Sequence, residues 1–185
     1  MNNHDDDGLS LIELIIAVMI IGVLGIAITM IFVNSVRAQD TVTTTSEATN
    51  SGQLYGQSVE RAMRNAVVFE VGDAGRLLRV QTSLSGERQC QAFWITAPGG
   101  SPDDALYMTS RAGALPGLST ADWPQPWHAV GGVAPLSAND GRYFTDAGDR
   151  VRFAFDIETD AAPVTISGEA ATRSPATGET NPCWL

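Results

Sequence analysis

Between Gly8 and Val33 the chain carries one ionisable side chain, Glu13, five positions after the glycine. An acidic side chain near the centre of a membrane helix is disfavoured by about 2.5–3.5 kcal/mol, and even toward one end a leucine would sit there at lower cost. The chemistry open to Glu13 is therefore pairing with a cation. Other reactive groups are few. Cys90 and Cys183 are the only cysteines, and neither lies at zinc-ligand spacing from a histidine or another cysteine. His4 and His128 are the only histidines. No nucleophile elbow, phosphate loop, dinucleotide fingerprint, HExxH or paired-carboxylate pattern accompanies them. With no general base in view, no catalytic residue, cofactor or metal is expected, and the reading is a non-enzymatic one.

The element that must position Glu13 is the apolar run itself. As a helix rising about 1.5 Å per residue it spans about 37 Å, enough to cross a hydrocarbon core roughly 30 Å thick. A secretory signal has a shorter apolar core of about 7–15 residues, a basic segment before it and a small-residue cleavage site after it, and this stretch has none of these.

Gly8 followed by Leu9-Ser10-Leu11-Ile12-Glu13-Leu14 resembles the class III signal of type IV pilins and type II secretion pseudopilins. The resemblance implies a leader at 1–8, cut between Gly8 and Leu9 by a prepilin peptidase that also N-methylates Leu9. It further implies that Glu13, fifth in the mature chain, pairs with the N-terminal amine of a neighbouring subunit. That fits the physics, because cleavage creates an ammonium at the start of an apolar helix and a carboxylate from another chain can neutralise it without water. The implied partners are that peptidase and N-methyltransferase, other pilin or pseudopilin subunits, an inner-membrane assembly platform and membrane lipid. The leader is acidic (Asp5, Asp6, Asp7), Leu9 stands where the family usually has phenylalanine, and the first arginine, Arg37, lies beyond the span. Charge count alone would orient the helix the other way; the motif is taken to decide, with the N-terminus cytoplasmic and the C-terminal domain outside. The segment SGQLYGQSVERAMRNA (51–66) is similar to the helix end of minor pilins and J-type minor pseudopilins, which implies a minor subunit. The alternative is a membrane-anchored extracytoplasmic binding module that uses the helix as an anchor only.

The remaining chain, roughly 150 residues, suffices for one domain. Net charge is −10, and loss of the leader's three aspartates leaves −7; all the basic residues are arginine. So acidic a surface argues against nucleic acid as a ligand and against a polybasic membrane-surface role. An exported domain with two cysteines suggests one Cys90–Cys183 disulfide, which would contribute on the order of 4–5 kcal/mol in the chain-entropy model. Two separate buried thiols are the alternative.

The fold expected is α+β: a long N-terminal helix, its transmembrane half at 9–33 and its amphipathic half at 34–66, packed on an antiparallel sheet within 67–185. The threonine-rich stretch 34–50 is a poor helix former, and its helicity rests on the resemblance. Leu54, Val59, Met63 and Ala66 are expected on the buried face, and Gly52 and Gly56 are expected to loosen the helix. Four short segments, 67–71, 76–82, 90–97 and 105–110, read as a meander. In the third, Phe93 and Ile95 share one face with Gln91, and Cys90, Ala92, Trp94 and Thr96 share the other, so it should be a central strand with the helix on one side. Segment 112–149 reads as loops with little secondary structure. It holds Asp122 to His128, with Trp123 and Trp127 read as a flap on the sheet and an interaction patch as the alternative, and Asn139, Asp140, Asp146 and Asp149, read as turn residues because their spacing does not match a calcium loop. Segment 150–159 alternates, with Val151, Phe153, Phe155 and Ile157 inward, and a hairpin with 163–170 should complete the sheet.

Overall fold

A computed structural model of the chain describes residues 11–84, 87–96, 105–115, 117, 132–136, 140–173 and 183–184. The chain divides into two compact units, Met1–Val42 and Thr43–Leu185. One helix, α1 (Leu11–Arg64), forms the described part of the first and the opening element of the second.

In the first unit α1 is apolar on every side from Leu11 to Val33 apart from Glu13. Its large hydrophobic side chains between Leu11 and Val33 are all solvent-facing, from 39 % exposed at Val33 to 76 % at Leu11. No proline interrupts the helix. It is long and apolar enough to cross a membrane.

In the second unit α1 continues through the threonines, where Thr49 donates its hydroxyl proton to the Thr45 carbonyl at 2.7 Å, a side-chain bond inside the helix that makes threonine tolerable there. The helix ends where the Asn65 backbone N–H turns back to the Ala62 carbonyl and its side-chain amide to the Arg61 carbonyl. Arg61 and Arg64 complement the negative end of the helix dipole. The buried residues are Ala48, Gly52, Tyr55, Gly56, Val59, Ala62 and Met63, a 3.6-residue stripe.

Eight strands follow among the described residues: β1 (Ala66–Gly72), β2 (Leu77–Leu84), β3 (Glu87–Ile95), β4 (Leu106–Arg111), β5 (Val133–Pro135), β6 (Phe144–Asp146), β7 (Arg150–Ile157) and β8 (Val164–Ala171). The first four form the expected antiparallel meander in the order β1-β2-β3-β4, with β3 central. Phe93 and Ile95 of β3 lie in the core beneath α1, whereas Ala92 and Trp94 join Leu77 in a smaller cluster on the other face. Val151, Phe153, Phe155 and Ile157 are buried as their alternation requires.

Three expectations are corrected. The β7–β8 hairpin exists but does not complete the meander. It belongs to a second sheet, in which β8 pairs one edge of β7 while β5 and β6 pair the other, end to end. Segment 112–149 supplies β5 and β6, three residues each and too short to show alternation, which agrees with the little secondary structure expected there. Leu54 is 43 % exposed, and its neighbour Tyr55 takes the core position one helical step, about 100°, away.

The third correction concerns the glycines. A Cβ on Gly52 would lie 2.5 Å from Ile166 Cγ1 and 2.9 Å from Ile157 Cδ1, and one on Gly56 would lie 3.2 Å from the Phe153 ring. These positions are bare so that α1 can lie directly on the β7–β8 hairpin. Tyr55 beside them meets both sheets, its ring edge-on to Phe93 at 5.6 Å and to Phe155 at 5.8 Å.

Two outcomes follow. Gly52→Ala should lower the unfolding midpoint of the detergent-solubilised chain, because overpacking costs about 1–3 kcal/mol and the helix-propensity gain is at most about 1 kcal/mol. Ile166→Ala should cost less in that background than alone; a raised midpoint for Gly52→Ala would refute close packing. Tyr55 is fully buried, and its hydroxyl has no hydrogen-bond partner among the described residues. Burial raises its pKa well above the ordinary value. The folded chain then holds a proton that the unfolded chain releases, so this contribution is intact below about pH 10 and is lost as pH rises further. Tyr55→Phe should be neutral or mildly stabilising at pH 7 and should flatten the alkaline fall in midpoint between pH 9 and 11.

Candidate functional site

Glu13 sits in the first turn of the described helix, among Leu11, Ile12, Leu14 and Ile16, all exposed. Its carboxylate has no hydrogen bond or ion pair among the described residues. Gly8 and Leu9, the expected processing residues, lie outside the described residues.

Further along the same unit, Gly22 and Gly25 have nothing within 4 Å of the space a Cβ would fill. With Ile26, Thr29, Met30 and Val33 they form a shallow open notch on one side of the helix, ending at Asn34 and Arg37. Thr29 keeps its hydroxyl inside the helix by donating to the Gly25 carbonyl at 2.8 Å. The notch therefore presents an apolar surface with small residues at its floor.

In the second unit Cys90 of β3 is bonded to Cys183, their Cα atoms 5.4 Å apart and their sequence separation 93. Both are buried. The Leu115 N–H donates to the Cys183 carbonyl at 3.0 Å, so the bond fixes the chain end and the segment after β4 to the outer face of the first sheet. Gln81, the β2 partner of Cys90 in register, is fully buried there, and its carboxamide has no partner among the described residues. The small cluster of Leu77, Ala92 and Trp94, with Tyr107 and Leu115 against it, occupies the same face.

Chemical machinery does not assemble elsewhere among the described residues. No three of His, Cys, Asp and Glu converge there. Asp146 accepts the Gly148 N–H at 2.8 Å within a turn, and Asp140 has a left-handed backbone (φ 51°) before Gly141. Asn139 and the segment Asp122 to His128 lie outside the described residues. Apart from that of Tyr55, the titration shifts belong to an exposed ion cluster at β7 and β8. Hydrogen bonds from Arg152 and then Arg150 hold the Glu169 carboxyl below its usual range, and Arg150 does the same for Asp149. The Arg150 guanidinium is correspondingly raised, chiefly by Asp149. Such pairs tie neighbouring strands on the surface and add little stability; no nucleophile accompanies them.

Sequence reasoning missed one constellation. Arg173, just past β8, lines the same open groove of about 530 Å³ as Arg61 and Arg64 of α1, together with Leu54, Gln57, Ser58, Glu60 and Asn65. Nothing in the primary structure links positions more than a hundred residues apart; the parallel run of β8 beside α1 does.

Removing the disulfide should release the outer face. Cys183→Ala is expected to lower stability by about 2–5 kcal/mol and to speed hydrogen exchange of the Leu115 amide, with denaturant titration and exchange mass spectrometry as the measurements. Unchanged protection at Leu115 would show that the bond does not hold this segment.

Residues 4–29 match the model of the prokaryotic N-terminal methylation motif. No curated protein and no solved structure matches the chain. The matched stretch contains Gly8, Leu9 and Glu13 and ends inside the apolar half of α1.

Proposed function

We propose, from the N-terminal methylation motif that is the signature of type IV pilins and pseudopilins, that this chain is a processed filament subunit anchored and assembled through α1. The motif marks a structural family, not an enzyme family. It implies processing by a prepilin peptidase and assembly with other pilins. A single N-terminal apolar helix fits a single-pass anchor.

In this reading residues 1–8 are the leader, 9–33 the transmembrane helix, 34–66 its amphipathic continuation and 67–185 the extracytoplasmic β domain, with the N-terminus cytoplasmic. The peptidase cuts between Gly8 and Leu9 and methylates Leu9. Glu13 then receives the ammonium of a neighbouring subunit's Leu9 as the chain is drawn from the inner-membrane platform into the filament. The notch at Gly22 and Gly25 lets another helix approach closely in lipid, where small residues drive association. The likeness of 51–66 to minor subunits supports a minor position.

The observation that carries this reading is Glu13, an acid without a partner among the described residues in an otherwise apolar helix, inside the matched motif. An anchor would gain from its removal, since an apolar replacement eliminates the desolvation cost; an assembly contact would not. In cells with an active prepilin peptidase, the membrane-bound protein should begin at methylated Leu9 by intact mass, and Gly8→Ala should remain full length. Glu13→Leu should stay in the membrane and be cleaved, yet be depleted from sheared filaments, with Glu13→Asp partly functional at best. Incorporation of Glu13→Leu at the wild-type level would eliminate the assembly role. Absence of every form from filaments would favour the anchored binding module.

A further inference from the structure

We infer that the groove lined by Arg61, Arg64 and Arg173 is a docking surface for the acidic opposite end of a second copy of this chain. The inference rests on the filament reading above and adds to it a specific contact between the β domains.

The second unit is polarised along α1. Gly52 packs on Ile166 and Ile157, and Gly56 on Phe153, so α1 runs alongside β8 in the same direction and opposite to β7. Where α1 enters the unit, Glu47 therefore lies level with the turn between β7 and β8, which carries Glu158 and Asp160. All three are exposed, and none has an ion-pair partner among the described residues. Where α1 leaves the unit, Arg61 and Arg173 are exposed and likewise without an ion-pair partner among the described residues. Glu60, the acid lining the groove, is bonded to Arg64 at 3.0 Å, so the groove as a whole stays cationic.

The two ends match in pattern as well as sign. Glu47, Leu54 and Arg61 recur at seven-residue spacing along one flank of α1, with about 21 Å of helix rise between the acid and the arginine. Leu54, 43 % exposed, gives the groove an apolar floor between polar walls. A copy set beside the groove and advanced along the helix axis brings its Glu47, Glu158 and Asp160 to Arg61 and Arg173. That contact is head-to-tail, so it leaves the same two surfaces free at the ends and can repeat. In a mature chain of net charge −7, the leader's three aspartates being lost from −10, copies repel at long range, and local opposite charges of this kind set the register in which neighbours meet.

The test uses the full-length chain in its own membranes and filaments. Cells co-producing Arg61→Cys and Asp160→Cys chains should give an oxidatively cross-linked dimer that neither variant gives alone. The double variant should give a ladder, with yield falling as salt rises. Arg61→Glu with Arg173→Glu should lower filament incorporation roughly 5- to 30-fold, and adding Glu158→Arg with Asp160→Arg should restore it. An oxidised Cys90–Cys183 bond in each variant serves as the folding control. If wild type and Arg61→Glu/Arg173→Glu enter filaments equally, or the Cys variants cross-link only to a different subunit, the inference fails while the filament reading stands. If wild type enters no filament and no cross-link forms, both fail.

Discussion

A single helix has to satisfy two surroundings, and the way α1 changes character between its halves governs everything built on it. Through Val33 every side but that of Glu13 is apolar, and no described residue covers it. From Ala48 onward a narrow stripe is buried, and it is built from alanines and glycines with one tyrosine, one valine and one methionine instead of from leucine and isoleucine. The bare positions at Gly52 and Gly56 bring the helix backbone onto Ile166 and Phe153. That close approach lets Tyr55 reach Phe93 of one sheet and Phe155 of the other at once. A bulkier stripe would hold the helix away from the hairpin and part the two sheets at their shared contact.

The two sheets are joined away from the helix as well. The turn after β1 places Asp73 and Ala74 at positive φ before Gly75, conformations that cost non-glycine residues energy and persist only where surroundings enforce them. Here Asp73 accepts from the Arg76 guanidinium and the Trp94 indole, and the Gly75 carbonyl accepts the Tyr143 N–H at 3.1 Å. Tyr143 in turn donates its hydroxyl proton to the Val133 carbonyl, which carries the connection on to β5. The strained turn is thus held from the first sheet and in turn anchors the second.

Much of this was legible in residue order where one periodicity dominated. The span with Glu13 stood out because one charge in an apolar run has few physical explanations, and β7 because four large apolar residues alternate without a fault. The face assignment of β3 held because Phe93 and Ile95 alternate with Ala92 and Trp94. Reading failed where identity misled about environment. Leu54 looks like a core residue and Gly52 a helix weakener, yet the helix needed the space that glycine leaves. Helicity across the threonines came from family likeness, since propensity pointed the other way. The split into two sheets was invisible because β5 and β6 are three residues long, and their pairing with β7 is decided by long-range register. Arg173 joined Arg61 and Arg64 only once β8 was seen to run beside α1.

The acidic, lysine-free composition acquires meaning from where the guanidinium groups sit. With 21 acidic and 11 basic residues, arginine is scarce, and several arginines are engaged within the domain: Arg76 with Asp73, Arg79 with Glu70, Arg150 and Arg152 with Glu169, and Arg64 with Glu60. Such cross-strand and intrahelical pairs hold neighbouring elements in register without binding anything else. An arginine without a partner among the described residues, at the rim of an open groove, differs from these because its fork of donors is unused. Arg61 and Arg173 are both of this kind, and they are brought to one place by elements distant in sequence. The same geometry that lets α1 rest on the hairpin therefore also shapes a cationic concavity on an acidic domain.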